Sequence, residues 1–472
     1  MKKLNRRDFI GQASCAGMGY LTLLNTYLNF KAINGASISN SSVLDANDYK
    51  AIVCILQAGG NDSFNMLVPY EQNAYDIYQT TRGGAHISRN NLLPINQVGE
   101  NINNPAYAVA PTMSGVQTLF NQRRLSFLAN VGTLLKPNTT INDFENNVNV
   151  PLKLMSHSDQ IQQWQSGIPS ARSIKGWGGK VADIINSCNP NQNISMNISL
   201  SGTNIFQRGD ATVEYAIDAE SGSIGVDQHD RTTDSFYQKI RTEAVDSLME
   251  YNYQDIFQKT YSNVIKNAID WNEEFSAALV GSSTFDNIDF PNSFLSRQLK
   301  MIARTIDVQQ ALGFKRQIFF VLSGGWDHHD TLLRFHPEMI GDVSSSLLAF
   351  SQALESINMD NDVLTMTISE FGRSLTFNGD GSDHAWGGNT MVMGGPNLIH
   401  GGQIFGSYPN LVLGSNIDIG NGILIPSLST DEYFAEVSKW FGVGQTDLYD
   451  IFPNLSEFYN NFSSYPIGFI KS

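Results

Sequence analysis

The sequence predicts an α/β fold: a central, mostly parallel sheet flanked by helices. Three observations point to it. Short apolar runs at Ala51–Leu56, Ile318–Leu322 and Val363–Ile368 read as buried strands, and each stops at a loop carrying Gly, Asp, His or Glu. Between the second and third runs, Ile340, Val343, Leu347, Phe350 and Leu354 alternate spacings of three and four, the stripe of a helix packed on a sheet. Strand, helix, strand in that order implies parallel pairing through a right-handed crossover. The 472 residues are enough for one large α/β domain or two average ones.

The elements follow in chain order. Met1–Arg7 is basic, and Arg6-Arg7-Asp8-Phe9-Ile10 precedes a weakly apolar stretch without acidic residues, the pattern of a twin-arginine export signal. Residues 1–36 are read as that signal, with Ala36 as the cleavage point, and 37–48 as a polar linker. Cys15 comes too early in the apolar stretch for a lipoprotein site. No later segment reaches the ~18 apolar residues of a membrane span. Residues 49–472 form the domain. Thr112–Arg123 reads as a helix, Leu125–Val131 as a strand, Ser156–Gln165 and Gly178–Ile185 as helices, and Met196–Leu200 as a strand. A helical insertion is expected at 228–312, where Phe236, Ile240, Ala244 and Leu248 fall four apart on one face. Residues 376–425 are rich in Gly and Asn and read as loops with short strands.

Composition removes some functions. The net charge of −15 leaves no basic surplus for nucleic acid. Cys54 lies within a buried run and Cys188 in a polar turn, so no cysteine metal motif exists and a disulfide is not expected.

Chemistry gathers at the strand ends. Four of the eight histidines lie between positions 328 and 384, more than packing needs. Gly59-Gly60-Asn61-Asp62 ends the first strand, offering Asp62 as a metal ligand and Asn65 as its orienting or substrate-binding neighbour. Asp327 and His329 are two apart, so in extended backbone they point the same way while His328 faces away. Glu370 follows the third run, with Arg373 placed to hold an oxyanion. Asp383 and His384 sit in a Gly-flanked loop, with Trp386 as a pocket wall. Ser156 and His157 open a helix, where a nucleophile's alkoxide and an anion are both stabilised. His336 is read as structural. Asp62, Asp327, His329, Glu370, Asp383 and His384 offer oxygen and nitrogen ligands without sulfur, a mixture suited to one or two divalent ions, Zn²⁺, Mn²⁺, Mg²⁺ or Ca²⁺.

Taken in order, these motifs resemble a bacterial exported family known as domain of unknown function 1501. The resemblance runs from Ala51 to about Pro409. It rests on Gly59–Asp62 with Asn65 and Pro69, Ser156–Gln160 with Trp164 and Gly167, Gly176–Gly179, Gly325–His329, Ser369–Arg373, and Asp383–Gly388 leading to Met393-Gly394-Gly395. It implies an alkaline phosphatase-like or sulfatase-like sandwich. Asp62 then resembles that fold's first-strand metal Asp, Ser156 its nucleophile, Asp327, His329 and His384 the ligands of one metal, and Glu370 the Asp of an Asp-His pair. Phe371 stands where that pair has its His, so one metal site loses a ligand unless Asp383 or His157 substitutes.

The function expected is an exported metal-dependent hydrolase acting on a small-molecule or glycan-linked phosphate or sulfate ester. Its location would be periplasmic or extracellular, reached through the twin-arginine translocation machinery. The alternative is a non-catalytic metal- or glycan-binding protein on a hydrolase scaffold. A serine hydrolase with a Gly-x-Ser-x-Gly elbow is not supported, and neither is a nucleotide enzyme.

Overall fold

A computed structural model describes residues 48–471 apart from 100–103, 192 and 228. The export signal, Cys15 and the linker up to residue 47 lie outside the described residues. The expected central sheet is present. Its middle strand is Lys50–Ala58, flanked on one side by Arg316–Gly324 and on the other by Val363–Ile368, all parallel. Ala51 pairs with Val363 and Leu56 with Ile368, while Ala58 pairs with Gly324. All three strands therefore end on the same edge of the sheet. Their side chains from Ala51 to Leu56, Ile318 to Val321 and Val363 to Ile368 are buried, as expected of a sheet covered on both faces.

The sheet continues past Arg316–Gly324 to Asn197–Ser199, Tyr215–Asp218 and the short Gly222–Ser223. On the other side Gly388–Met393 runs antiparallel to Val363–Ile368 and to Leu125–Gly132, the single reversal near the centre. Ile404–Phe405 and Leu428–Ser429 pair parallel with Leu125–Gly132. A separate three-stranded sheet joins Leu67–Pro69, Tyr107–Val109 and Leu93–Ile95.

Helices close the core. Thr430–Phe441 packs on the middle strand, and Trp177–Ile185 and Phe294–Asp307 pack on Arg316–Gly324. Leu332–Ser356, the crossover helix, lies along Phe294–Asp307 and Ser114–Asn121. Its stripe Ile340, Val343, Leu347, Phe350, Leu354 is buried, as its spacing predicts. The helical stretch 228–312 divides in two. Phe294–Asp307 is amphipathic and belongs to the core, whereas Phe236–Glu250 and Ile256–Val280 form a hairpin whose Phe236, Ile240, Ala244 and Leu248 all face solvent. The four residues share one face of a helix, as their spacing predicts, and the helix turns the opposite face inward.

Candidate metal centre

The three parallel strand ends supply the site, in the crevice where an open α/β sheet places its ligands. Gly59 and Gly60 follow the middle strand with φ of +127° and +87°. A Cβ on Gly59 would stand 2.3 Å from the Asp327 backbone nitrogen, and one on Gly60 would strike the Phe371 ring. Glycine is what lets these loops touch. Trp326 N–H donates to Ala58 O, binding the second strand end to the first. Gly372 and His384 extend the arrangement by single bridges, Asn61 to Gly372 and Arg373 to His384. Histidines from distant loops are carried to one place by this backbone network.

At the centre is Asp327. One oxygen, Oδ1, lies 3.1 Å from His329 Nε2 and 3.3 Å from His384 Nε2; the other, Oδ2, lies 3.4 Å from His157 Nε2. His329 Nε2 and His384 Nε2 are 2.9 Å apart. Ligand atoms of His157, Asp327 and His384 all fall within 4.8 Å of one another.

The opposite ring nitrogens are anchored. His157 Nδ1 is 2.8 Å from Glu370 Oε1, His384 Nδ1 is 2.8 Å from the Met155 carbonyl, and His329 Nδ1 is 3.4 Å from Asp383 Oδ1. An imidazole that donates from Nδ1 presents a lone pair at Nε2. His384 and His329 thus bring two lone pairs together, and His157 Nε2 is buried without a hydrogen-bond partner. The two lone pairs repel unless a proton or a cation sits between them. Imidazoles oriented through their far nitrogens by a carboxylate or carbonyl are the usual support of metal-binding histidines. The residues therefore fit a divalent ion.

The surroundings tune these groups. The Glu370 hydrogen bond raises the His157 pKa, against the burial that would lower it. Burial lowers that of His384. Partial burial pushes the Asp327 carboxyl up, but the hydrogen bond and charge of Arg373 outweigh it and hold the carboxyl below its usual range. Phe371, 2% exposed, puts its ring centroid 4.9 Å from His157 and 4.7 Å from His384, an apolar floor beneath both imidazoles.

Residues 49–417 match the family described as "Protein of unknown function (DUF1501)". The chain belongs to that family. The matched span holds every residue of the cluster. Among solved structures, the chain is similar to the lipoteichoic acid synthase LtaP from Listeria monocytogenes, with 11% identity and a TM-score of 0.30 over 84% of this chain and 80% of that one. It is also similar to Ps i-CgsB in complex with k-i-k-neocarrahexaose, with 12% identity and a TM-score of 0.32 over 87% of this chain and 76% of the other. No curated protein matches.

In this DUF1501 chain several expected roles are redistributed. Asp327, His329 and His384 converge as the motif spacing suggests, and His328 faces away into the protein with 4% exposure. His157, expected to bind substrate, lies beside Asp327 and His384 in the cluster instead. Glu370 does not reach the cluster's interior: it is fully buried, accepts from Gly59 N–H at 2.8 Å, and holds His157 from behind. Asp383 is exposed and supports His329 from outside. Asp62 is not in the cluster. Its carboxylate is buried against the Arg82 guanidinium, an ion pair with neither side chain accessible.

Arg373 is also turned inward. Its guanidinium donates to Gly59 O at 3.2 Å, to Asp327 Oδ1 at 2.7 Å and to the Ser382 carbonyl, and it is inaccessible to solvent. It positions Asp327 rather than facing an oxyanion. Asn65 is closed to substrate because its amide donates to Ala85 O and accepts from Tyr78 OH. Trp386 is no pocket wall. It is buried, donates to Thr133 O, and packs with Leu134 and Ile425. His336, read as structural, is buried within the helix Leu332–Ser356, 3.0 Å from Asn61 Oδ1.

Ser156 is the residue before the helix His157–Ser166 but makes no side-chain cap; its Oγ donates to Asp159 Oδ2 at 2.8 Å. Both its neighbours touch the cluster, Met155 through its carbonyl and His157 through its ring. Sequence reading missed Met155, which acts through backbone, and Arg82, whose only signal is a basic residue in the last turn of Gln72–Arg82.

Proposed function

We propose that this protein is an exported hydrolase of phosphate or sulfate esters that depends on one divalent ion. The observation that carries the proposal is the convergence of three imidazole Nε2 atoms on Asp327, each with its far nitrogen held by another group. His157, His329, His384 and Asp327 would hold the ion. A nitrogen-rich set favours Zn²⁺ over Mg²⁺ and Ca²⁺, which prefer oxygen. One ion rather than two is supported by Arg82, whose buried positive charge already neutralises Asp62. The bound ion supplies Lewis-acid polarisation of an ester oxygen.

The chain's own groups would do the rest. Ser156 is the nucleophile in this reading: its hydroxyl turns from Asp159 and would give up its proton as its oxygen bonds to phosphorus or sulfur, the alcohol leaving with a proton, and water would then release the acid and restore the serine. The first N–H groups of the helix His157–Ser166 meet the charge that develops on the ester oxygens. Arg373 keeps Asp327 charged and in place. Glu370 fixes the tautomer of His157. Action outside the cytoplasm rests on the twin-arginine pattern at Arg6-Arg7. Among the described residues no helix is long and apolar enough to cross a membrane.

A second reading, a non-catalytic metal- or glycan-binding protein, is favoured by the burial of Arg373, which leaves that guanidinium unable to face an oxyanion. One experiment separates the readings. Metal content of the purified protein is measured by elemental mass spectrometry beside an Asp327→Ala/His329→Ala variant, and both are assayed on phosphate and sulfate esters. The hydrolase reading expects a stoichiometric ion and ester cleavage, both lost in the variant. Metal without cleavage leaves the binding reading. No metal in either protein after divalent ions are added back removes the hydrolase reading and leaves a glycan-binding or structural protein.

A further inference from the structure

The helix Phe236–Glu250 is amphipathic in the wrong sense for a monomer. Its inward side is mixed: the polar Thr242 and Asp246 lie there beside the half-buried Val245 and Met249. Thr242, 4% exposed, exchanges hydrogen bonds with the Asp230 backbone, and Asp246 pairs with His229 and Arg231 at 2.9 Å each. Arg231 continues that network to Asp270 and Glu273 of the neighbouring helix. The outward side is apolar. Phe236 is 70% exposed, Ile240 50% and Leu248 56%, with Ala244 exposed between them and Tyr237 at 85% beside them. Residues four apart make one continuous stripe. A stripe of this kind left in water marks an interaction face.

We infer that this face docks a second copy of the same chain, helix against helix and antiparallel, about a two-fold axis level with Thr242. The sequence is self-complementary about that point. Phe236 meets Leu248 of the other copy, and Ile240 meets the small Ala244. Charge agrees as well. Lys239 and Glu243 are both exposed and lie four apart on the same flank of the stripe. In an antiparallel pair related by a two-fold axis, equivalent flanks face each other, so each Lys239 lies beside the other copy's Glu243. A parallel pairing sets like charges level with each other. An isologous contact of this kind closes on itself and gives a dimer, not a fibre.

Sedimentation velocity of the full chain over a wide concentration range tests the proposal, with far-ultraviolet circular dichroism and thermal unfolding as fold controls. The expected result is a reversible monomer–dimer equilibrium that Ile240→Glu shifts to monomer without changing the fold. Lys239→Glu alone sets two acidic residues against two, and Glu243→Lys alone sets two basic residues against two. Each variant alone is expected to dimerise at least tenfold more weakly. Mixed together they are expected to form a heterodimer near wild-type strength, although each helix still carries its own like-charge pair. That recovery separates contact between copies from a change within one helix. A wild-type protein that stays monomeric at all concentrations overturns the proposal, as does a dimer that Ile240→Glu leaves intact. Monomers that float with lipid vesicles also overturn it and assign the stripe to a membrane surface.

Discussion

The histidine–aspartate cluster and the helical hairpin use charge in opposite ways. At the sheet edge, each ionisable group is held by a fully buried partner: the buried Asp62 by Arg82, the half-buried His157 by Glu370, and the exposed Asp327 by Arg373. In the hairpin, Arg231 gathers Asp246, Asp270 and Glu273 at a partly exposed position while the apolar residues face outward. Both regions carry ion pairs at similar distances. Only the first is built to resist rearrangement, because desolvation makes an unpaired charge there very costly. Rigidity is what a metal site needs, and a partner face does not.

The largest expected difference between the regions lies in single removals of arginine. Arg82→Met leaves Asp62 buried and unpaired, and unfolding stability should fall by about 3–5 kcal/mol. Adding Asp62→Asn to it should recover most of that loss. Arg231→Ala, in contrast, removes partly exposed pairs and should cost about 1 kcal/mol or less. Chemical denaturation of the three variants makes the comparison. Equal losses at Arg82 and Arg231 would break it.

Next in size is Glu370→Gln. The side chain is uncharged but nearly isosteric, so the fold is expected to survive. His157 loses its charged support, and affinity for the ion should fall about 10–100-fold, the usual cost of losing such support. Competition with a chelator reads this directly. Asp246→Asn, which disturbs a His–carboxylate contact in the hairpin, should leave the affinity unchanged. If both variants bind the ion like the wild type, Glu370 is merely a packing residue.

A smaller effect concerns His336, behind the cluster. Burial pushes its pKa down to about 3, from the 6.5 of an ordinary histidine. The unfolded chain therefore binds the proton more readily than the folded one. The stability this neutral ring contributes is complete above pH 6.5 and is lost as pH falls from there toward about 3. His336→Gln should flatten that limb of the stability–pH curve. An unchanged slope would show that the ring is hydrated in solution.

The fold was legible because its signals are local. Ala51–Leu56 and Val363–Ile368 are continuously apolar, and a strand buried on both faces has no other pattern. The cluster residues Asp327, His329 and His384 were legible because the chemistry proposed for them restricts residue type and the strand ends restrict position. Which neighbours support rather than bind was not legible. Glu370 and Asp62 are acidic residues just after strands, as a ligand would be. Only the fold shows that Gly59 N–H and His157 share Glu370, and that Arg82 arrives from a helix to meet Asp62. Arg373 misled for the same reason. A guanidinium near a metal motif suits an oxyanion or a carboxylate equally well, and burial decides between them.

The same limit governs helices, and the smallest predicted effect tests it. Leu347 and Leu248 both lie on stripes spaced for a packed face. Leu347 is 1% exposed in the crossover helix, and Leu248 is 56% exposed in the hairpin. Leu347→Ala should cost about 2–5 kcal/mol, since it opens a cavity in the core. Leu248→Ser, measured at protein concentrations low enough to keep the chain monomeric, should change stability by no more than about 0.5 kcal/mol. At higher concentration the same substitution should weaken self-association, because the stripe then has something to cover it. A large loss in the dilute monomer would mean that Leu248 packs within its own chain. The apolar stripe would then be ordinary core, and the contrast between the two regions would vanish. A loss that appears only as concentration rises would show that the period of a stripe reports the shape of the element, while its partner is set by the rest of the fold or by another molecule.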